Sequence, residues 1–178
     1  MTTTTSAGLE GVIAGESEIC YIDGDAGVLS YRGFNIHILA KNATFEEVIF
    51  LLWNGRLPKR AVLDALKADL GANRAIAKPV TDFLASVPKA EPMDVLRTAV
   101  SMLGLYDPLA ADNSAGANAS KAVKLMSQTA TLVSSFDRLR NGKAPVESDP
   151  SLGFAANFLY TLTGKRPDEV MELSLIHI

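Results

Sequence analysis

Cysteine, histidine and aromatic side chains are scarce in this 178-residue chain, and each scarcity removes a class of chemistry. The one cysteine, Cys20, has no partner for an internal disulfide, and a four-thiolate zinc site is out of reach, which fits a reducing, cytoplasmic setting. The two histidines, His37 and His177, stand near opposite ends without H-x-x-H or H-E-x-x-H spacing, so no metal centre is expected. A charge excess is also lacking: 17 Lys and Arg against 20 Asp and Glu leave a net charge of -3. No basic cluster is dense enough to neutralise a row of phosphates, so nucleic acid is not an expected partner. Apolar runs such as Val48 to Trp53 fall far short of the roughly 20 residues that cross a bilayer, so no membrane partner is expected either. The Walker and dinucleotide glycine patterns are absent, as are the basic and apolar regions of a secretory signal. Residues 1–8 read as a short flexible arm. The Asn-x-Ser/Thr triplets at Asn42 and Asn118 have no secretory context and carry no weight.

What is present is enough apolar side chain, 48% of the sequence, to fill one core, so wholesale disorder is excluded. Ile19 to Ile22 and Val28 to Tyr31, on either side of the turn-prone stretch Asp23–Gly27, predict a small hairpin with a five-residue loop. Nearly everything after it has helical period. Thr44 followed by Glu47 is a capping box, with Phe45, Val48, Ile49 and Leu52 on one face and Gly55 as a left-handed stop. Leu63, Leu66 and Leu70 mark a second helix; Val80, Phe83, Leu84 and Val87 mark a third that starts near Pro79. A fourth runs from Pro92 through Met93, Leu96, Val100 and Leu103 to Gly104, and a long connection is expected over 105–118. The next helix, 119–140, carries two apolar stripes: Val123, Met126, Ala130 and Val133, beside Leu125, Leu132, Phe136 and Leu139. So wide an arc needs cover from several helices or from another subunit. Ala155, Phe158, Leu159 and Leu162 give a sixth helix closed by Gly164. Pro167-Asp168 opens a seventh, with Met171, Leu175 and Ile178 on one face. The pattern then ends on Leu175-Ile-His-Ile178 without stop signals, which reads as a truncation. The fold class expected is all-α with a small β hairpin in front.

The inventory of reactive groups is thin. His37, in Gly33–Ala40 at the start of a short helix, reads as a histidine packed on the surface with no acidic or nucleophilic partner in reach of sequence. Glu46 and Glu47 point in different directions on a helix, which makes them a solvated first turn and not an acid–base pair. Arg32 is expected to anchor the hairpin through an ion pair, and Cys20 to be a buried small hydrophobe. On residues alone the reading stops at an α-helical domain.

Several segments, in order, are Gly8-Leu-Glu-Gly-Val-Ile-Ala14, Tyr21-Ile-Asp-Gly24, Leu29-Ser-Tyr-Arg-Gly33, Phe45-Glu-Glu-Val48 with Leu51-Leu-Trp-Asn-Gly-Arg-Leu-Pro58, Pro92-Met-Asp-Val-Leu-Arg-Thr-Ala-Val-Ser101 and Ala156-Asn-Phe-Leu-Tyr-Thr-Leu-Thr-Gly164. Together they resemble the amino-terminal half of the citrate synthase family, particularly the bacterial citrate and 2-methylcitrate synthases. Glu91 departs from the family, which commonly has histidine there. The resemblance implies a mostly helical homodimer that condenses acetyl-CoA, or propionyl-CoA in 2-methylcitrate synthases, with oxaloacetate and then hydrolyses the thioester to release CoA. In that chemistry an aspartate removes a methyl proton, one histidine stabilises the enol and another polarises the oxaloacetate carbonyl, while arginines hold carboxylates in bidentate pairs.

Carried onto this chain, the resemblance makes residues 9–178 a partial large domain truncated before the catalytic region. The family's catalytic and CoA-binding residues lie beyond the matched segments, and Ser174–His177 only resembles the approach to a His-x-Asp-His-Glu motif: His177 matches its first, less critical histidine or, the reading favoured, residues 174–178 are a non-native tail. No catalytic, substrate-binding, cofactor-binding or metal residue is therefore assigned, and no cofactor is expected to bind this chain alone. Helices 92–104 and 119–140 resemble those that pack against their dyad mates, so a homodimer through them is expected. A stand-alone helical dimerisation module and a helical DNA-binding regulator are the competing readings; the acidic balance and the lack of a basic helix disfavour the second.

Overall fold

The computed structural model describes residues 15–177, with only the backbone of Ile176 and His177. The expected arm at 1–8, the segment Gly8–Ala14 and Ile178 lie outside the described residues. The hairpin forms as β1 (Cys20–Asp23) and β2 (Val28–Tyr31), antiparallel, with Tyr21 opposite Ser30 and Asp23 opposite Val28. Because Asp23 pairs, the loop is Gly24–Gly27, one residue shorter than expected, and the Asp23 carboxylate accepts from the Ala26 N–H at 2.9 Å.

A third strand, β3 (Phe34–Asn35), extends the sheet in the order β1-β2-β3. It returns through Arg32-Gly33, both at positive φ (48° and 82°), the backbone of a tight hairpin turn whose twist matches the strands. Arg32 is an unexpected residue for that conformation. Its side chain explains it: Nη2 donates to the Leu52 carbonyl at 3.1 Å and Nη1 meets Glu18 at 3.3 Å, so the turn is pinned to the end of a helix. The expected anchoring role of Arg32 holds. Cys20 is corrected: it is exposed, because β1 is an edge strand whose Cys20, Tyr21 and Ile22 face no covering element among the described residues.

Eight α-helices follow among the described residues: α1 (Ile36–Asn42), α2 (Phe45–Asn54), α3 (Arg60–Ala72), α4 (Lys78–Ser86), α5 (Pro92–Leu103), α6 (Ala115–Arg140), α7 (Phe154–Thr163) and α8 (Glu169–His177). The local signals hold where they were strongest. Thr44 and Glu47 form the reciprocal capping box, and Gly55 and Gly164 close α2 and α7 at φ 71° and 78°. α5 starts on Pro92 as expected, then tightens into a 3-10 turn, Gly104–Tyr106. α6 begins at Ala115, four residues before the expected start, because the Ser114 hydroxyl accepts from the Ala117 N–H and caps a turn of small residues that has no apolar period.

α6 is the central strut. Against one part of it Val80, Leu84, Val95, Ala99 and Leu103 from α4 and α5 meet Leu132 and Phe136. Against another, Ile49, Phe50, Leu66 and Leu70 from α2 and α3 pack with Val123, Met126 and Phe154. Polar residues of α6 also satisfy the end of α3: Ser127 Oγ donates to the Leu70 carbonyl at 2.8 Å, Thr131 Oγ1 to Arg74 at 2.8 Å and Gln128 Nε2 to Ala75 at 2.9 Å. α7 lies alongside α6, and its most buried face is made mainly of small and polar residues. Ala155, Ala156, Asn157 and Thr161 are buried, and Phe158, Leu159 and Leu162 are partly buried. Met171 of α8 is exposed. The apolar pattern located these helices, and small residues decide which face approaches a neighbour closely.

Candidate functional site

Among the described residues the structure brings no assembled set of acid, base and nucleophile around the residues singled out from sequence. His37 sits exposed on α1, its backbone N–H donating to Asn35 Oδ1 at 2.9 Å. His177 falls in the last turn of α8. No group of three or more His, Cys, Asp or Glu able to hold a metal occurs among the described residues. No helix among them is long and apolar enough to cross a membrane.

Two features stand out instead, an open apolar surface and a buried polar clamp. The surface includes a groove of about 280 Å³ between α5 and α6, walled by Pro92, Met93, Leu96, Val133 and Phe136 and closed at one end by Asp137 and Arg140. Met93 is 68% and Val133 38% exposed, and Leu125 further along α6 is 43% exposed. Each of the two stripes read from sequence is therefore covered in part: Leu132 and Phe136 are buried while Leu125 of the same stripe is exposed, and Val123 and Met126 pack inward while Val133 is exposed. A second groove, about 360 Å³, opens beside Phe45, Met126, Ala130, Phe154 and Phe158. Contiguous apolar relief of this kind on a protein surface marks an interaction site.

The clamp holds the connector between α6 and α7. Arg74, 6% exposed, donates from Nη1 to the Asp149 carbonyl at 3.0 Å and from Nη2 to the Leu152 carbonyl at 2.8 Å. Asn157 Oδ1 accepts from the Asp149 N–H at 2.9 Å, and Glu46 Oε1 accepts from the Phe154 N–H at 3.1 Å, capping α7 from another element. The reading of Glu46 as solvated is thus corrected: it is 7% exposed, drawn inward by that N–H, while Glu47 stays at the capping box. Burial holds the Arg74 pKa below its ordinary value against the opposing pull of Glu46 and Asp149. Local sequence carried no signal for this cluster, because its partners lie 75, 78 and 108 residues apart.

A third feature, also polar, ties the end of α5 to α6. Lys124 Nζ lies 2.9 Å from Asp107 Oδ1, with both side chains largely shielded. The Asp107 carboxyl is held below its usual range, first by the Leu109 N–H and then by Lys124. A depressed carboxylate pKa contributes stability above its unfolded value near 4 that is lost as pH falls through the folded value. Urea midpoints at pH 7, 4 and 3 are therefore expected to fall steadily on acidification. Asp107→Asn is expected to be less stable at pH 7 and to lose less between pH 4 and 3; an unchanged acid slope would show that the pair contributes nothing.

Set against known proteins, residues 8–177 match the family model described as citrate synthase, C-terminal domain. Citrate synthase 2 of Bacillus subtilis is 41% identical over 169 residues, covering 94% of this chain and 45% of that protein. The 2-methylcitrate synthase of Mycobacterium tuberculosis is 37% identical over 162 residues, covering 90% and 41%. Among solved structures, citrate synthase from Pyrobaculum aerophilum superposes with a TM-score of 0.88 at 32% identity, covering 96% of this chain and 45% of that one. The chain spans a little under half the length of the curated relatives it matches.

Proposed function

The chain belongs to the citrate synthase family, and from that premise we propose that it is the amino-terminal scaffold of an enzyme that condenses an acyl-CoA with oxaloacetate in the cytoplasm. The observation that carries this reading is the coverage: a match over nearly the whole chain that accounts for only 45% of the relatives. In this reading, residues 9–178 supply the first helices of the large domain, and the catalytic histidines, the aspartate and the carboxylate-binding arginines come from the remainder of the longer protein. The chain alone then releases no CoA. The reactive inventory supports this, since its two histidines, His37 and His177, lie on α1 and α8 with no acid–base partner beside His37.

The role left to this chain is mechanical and interfacial. α6 organises the surrounding helices, and the α5–α6 groove faces a second copy, making a homodimer. The stretch that resembles family dyad helices in sequence is also the stretch that leaves Met93, Leu125 and Val133 exposed. Acetyl-CoA is the acyl donor we favour, because the relatives named citrate synthase from Bacillus subtilis and Haloferax volcanii are each 41% identical; the 2-methylcitrate synthase at 37% keeps propionyl-CoA as the second candidate. The test is thiol release by the longer protein with oxaloacetate and each acyl-CoA in turn. Release with acetyl-CoA at least tenfold faster supports the first donor, the reverse ratio supports propionyl-CoA, and no release with either contradicts the family activity for this protein.

A further inference from the structure

α8 displays more apolar surface than the described residues cover. Its start is fixed locally, by the Asp168 carboxylate accepting from the Met171 N–H at 2.8 Å. Yet Val170 is 75%, Met171 47% and Leu173 46% exposed. With the half-buried Leu175 they fall, at about 100° per residue, over more than half of the helix circumference. An apolar arc that wide belongs to a helix covered from more than one side, whereas the main neighbour of α8 is α7. Val170, Met171 and Leu173 all precede residue 174, so the last turn does not decide this.

The groove of about 360 Å³ adjoins α8, since Leu175 lines it together with Phe158 of α7. It continues over Phe45, Met126 and Phe154, which also pack on the buried cluster of Ile49, Phe50, Leu66 and Leu70. The groove is therefore the open side of the core shared by α2, α3 and α6. Among the residues that line it only Thr129 is polar, which gives a small ligand almost nothing to orient it. We propose that α8 and this groove form one docking surface, and that its occupant is the part of the longer protein that follows residue 178, which lays an apolar face on the groove and around α8. The proposal rests on the reading of this chain as the amino-terminal part of such a protein; its relatives carry more than as much chain again outside the matched part. Joined through α8, that segment meets the groove at a high effective concentration, which a second copy does not. The α5–α6 groove assigned to the dimer shares no lining residue with this one.

Maleimide labelling of Val170→Cys and Ala130→Cys tests it, in the longer protein and in the 178-residue chain, with each site read by peptide mass spectrometry and each rate divided into that of the same site in urea. A covered thiol reacts only when the fold opens, so both sites are expected to be slowed at least 100-fold in the longer protein and less than about tenfold in the 178-residue chain. Oxidation of Met171 by hydrogen peroxide needs no substitution and decides should a variant fail to fold; it is expected to be at least tenfold slower in the longer protein. Reactivity in the longer protein equal to that in the 178-residue chain overturns the proposal. Protection in the 178-residue chain that grows with its concentration also overturns it, because a second copy is then the occupant. CoA release is read on the same samples. Protection without release supports the docking surface and removes the enzyme reading, and release without protection does the reverse.

Discussion

Replacing Arg74 by alanine is expected to lower the stability of the fold by roughly 3–5 kcal/mol, the range for removing one partner from a buried charged cluster. The guanidinium is 6% exposed and supplies two of the donors that hold the α6–α7 connector. Without it the carbonyls of Asp149 and Leu152 lose their donor, and Glu46 is left as a buried carboxylate with less opposing charge. Since whole domains are stable by only about 5–15 kcal/mol, such a loss takes most of the margin. Arg74→Lys keeps the charge but not the planar fork that reaches two carbonyls at once, so it is expected to fall between wild type and alanine. Glu46→Gln combined with Arg74→Ala is expected to be less damaging than the two separate losses added together, because each partner makes the other costly. Urea unfolding followed by circular dichroism reads wild type, the three single variants and the double variant. A change below about 1 kcal/mol for Arg74→Ala would place the guanidinium among ordinary surface groups and contradict the clamp.

The second large effect concerns self-association. Met93 and Val133 stand on the two walls of the α5–α6 groove, 68% and 38% exposed, so changing them leaves the packed core of Val95, Ala99, Leu132 and Phe136 in place. Buried in a dimer, the same two positions come out of water, and a carboxylate introduced at each has to be desolvated without a partner. Met93→Glu with Val133→Glu is expected to weaken the dimer at least 100-fold, about 2.7 kcal/mol by the relation between affinity and free energy. The monomer's helical content is expected to stay unchanged. Sedimentation equilibrium over a wide concentration range reads the effect. A variant as dimeric as the wild type would move the interface elsewhere, and a wild type that stays monomeric would remove it.

How much of this was legible in sequence follows from how local each signal is. The α2 capping box, its Gly55 stop and the Pro92 start of α5 are set by residues within one or two turns, and all three hold in the structure. The start of α6 escaped because Ala115-Gly-Ala117 carries no apolar period, although Ser114 is an ordinary cap that could have been weighed. β3 escaped because a two-residue strand has no alternation to read and Arg32 is a poor advertisement for a left-handed turn. Cys20 was misplaced because β propensity says nothing about whether a neighbour covers the strand. Glu46 and Arg74 are the instructive pair. Each looks like a routine surface charge in its own helix or loop, and only contacts spanning 75 to 108 residues turn them into a buried network. The wide apolar arc of α6 was legible as an arc; which of its neighbours covers it was not.

Thiol release by the 178-residue chain itself tests the central claim most directly. Purified and shown to be helical, it is to be incubated with oxaloacetate and acetyl-CoA, and separately with propionyl-CoA, beside a full-length relative such as citrate synthase 2 of Bacillus subtilis under the same conditions. A scaffold whose catalytic groups come from the rest of the longer protein releases no CoA above the enzyme-free blank with either donor, while the relative turns over. Sustained, oxaloacetate-dependent release by the chain alone would contradict this account, because it would require a complete active site within residues 1–178.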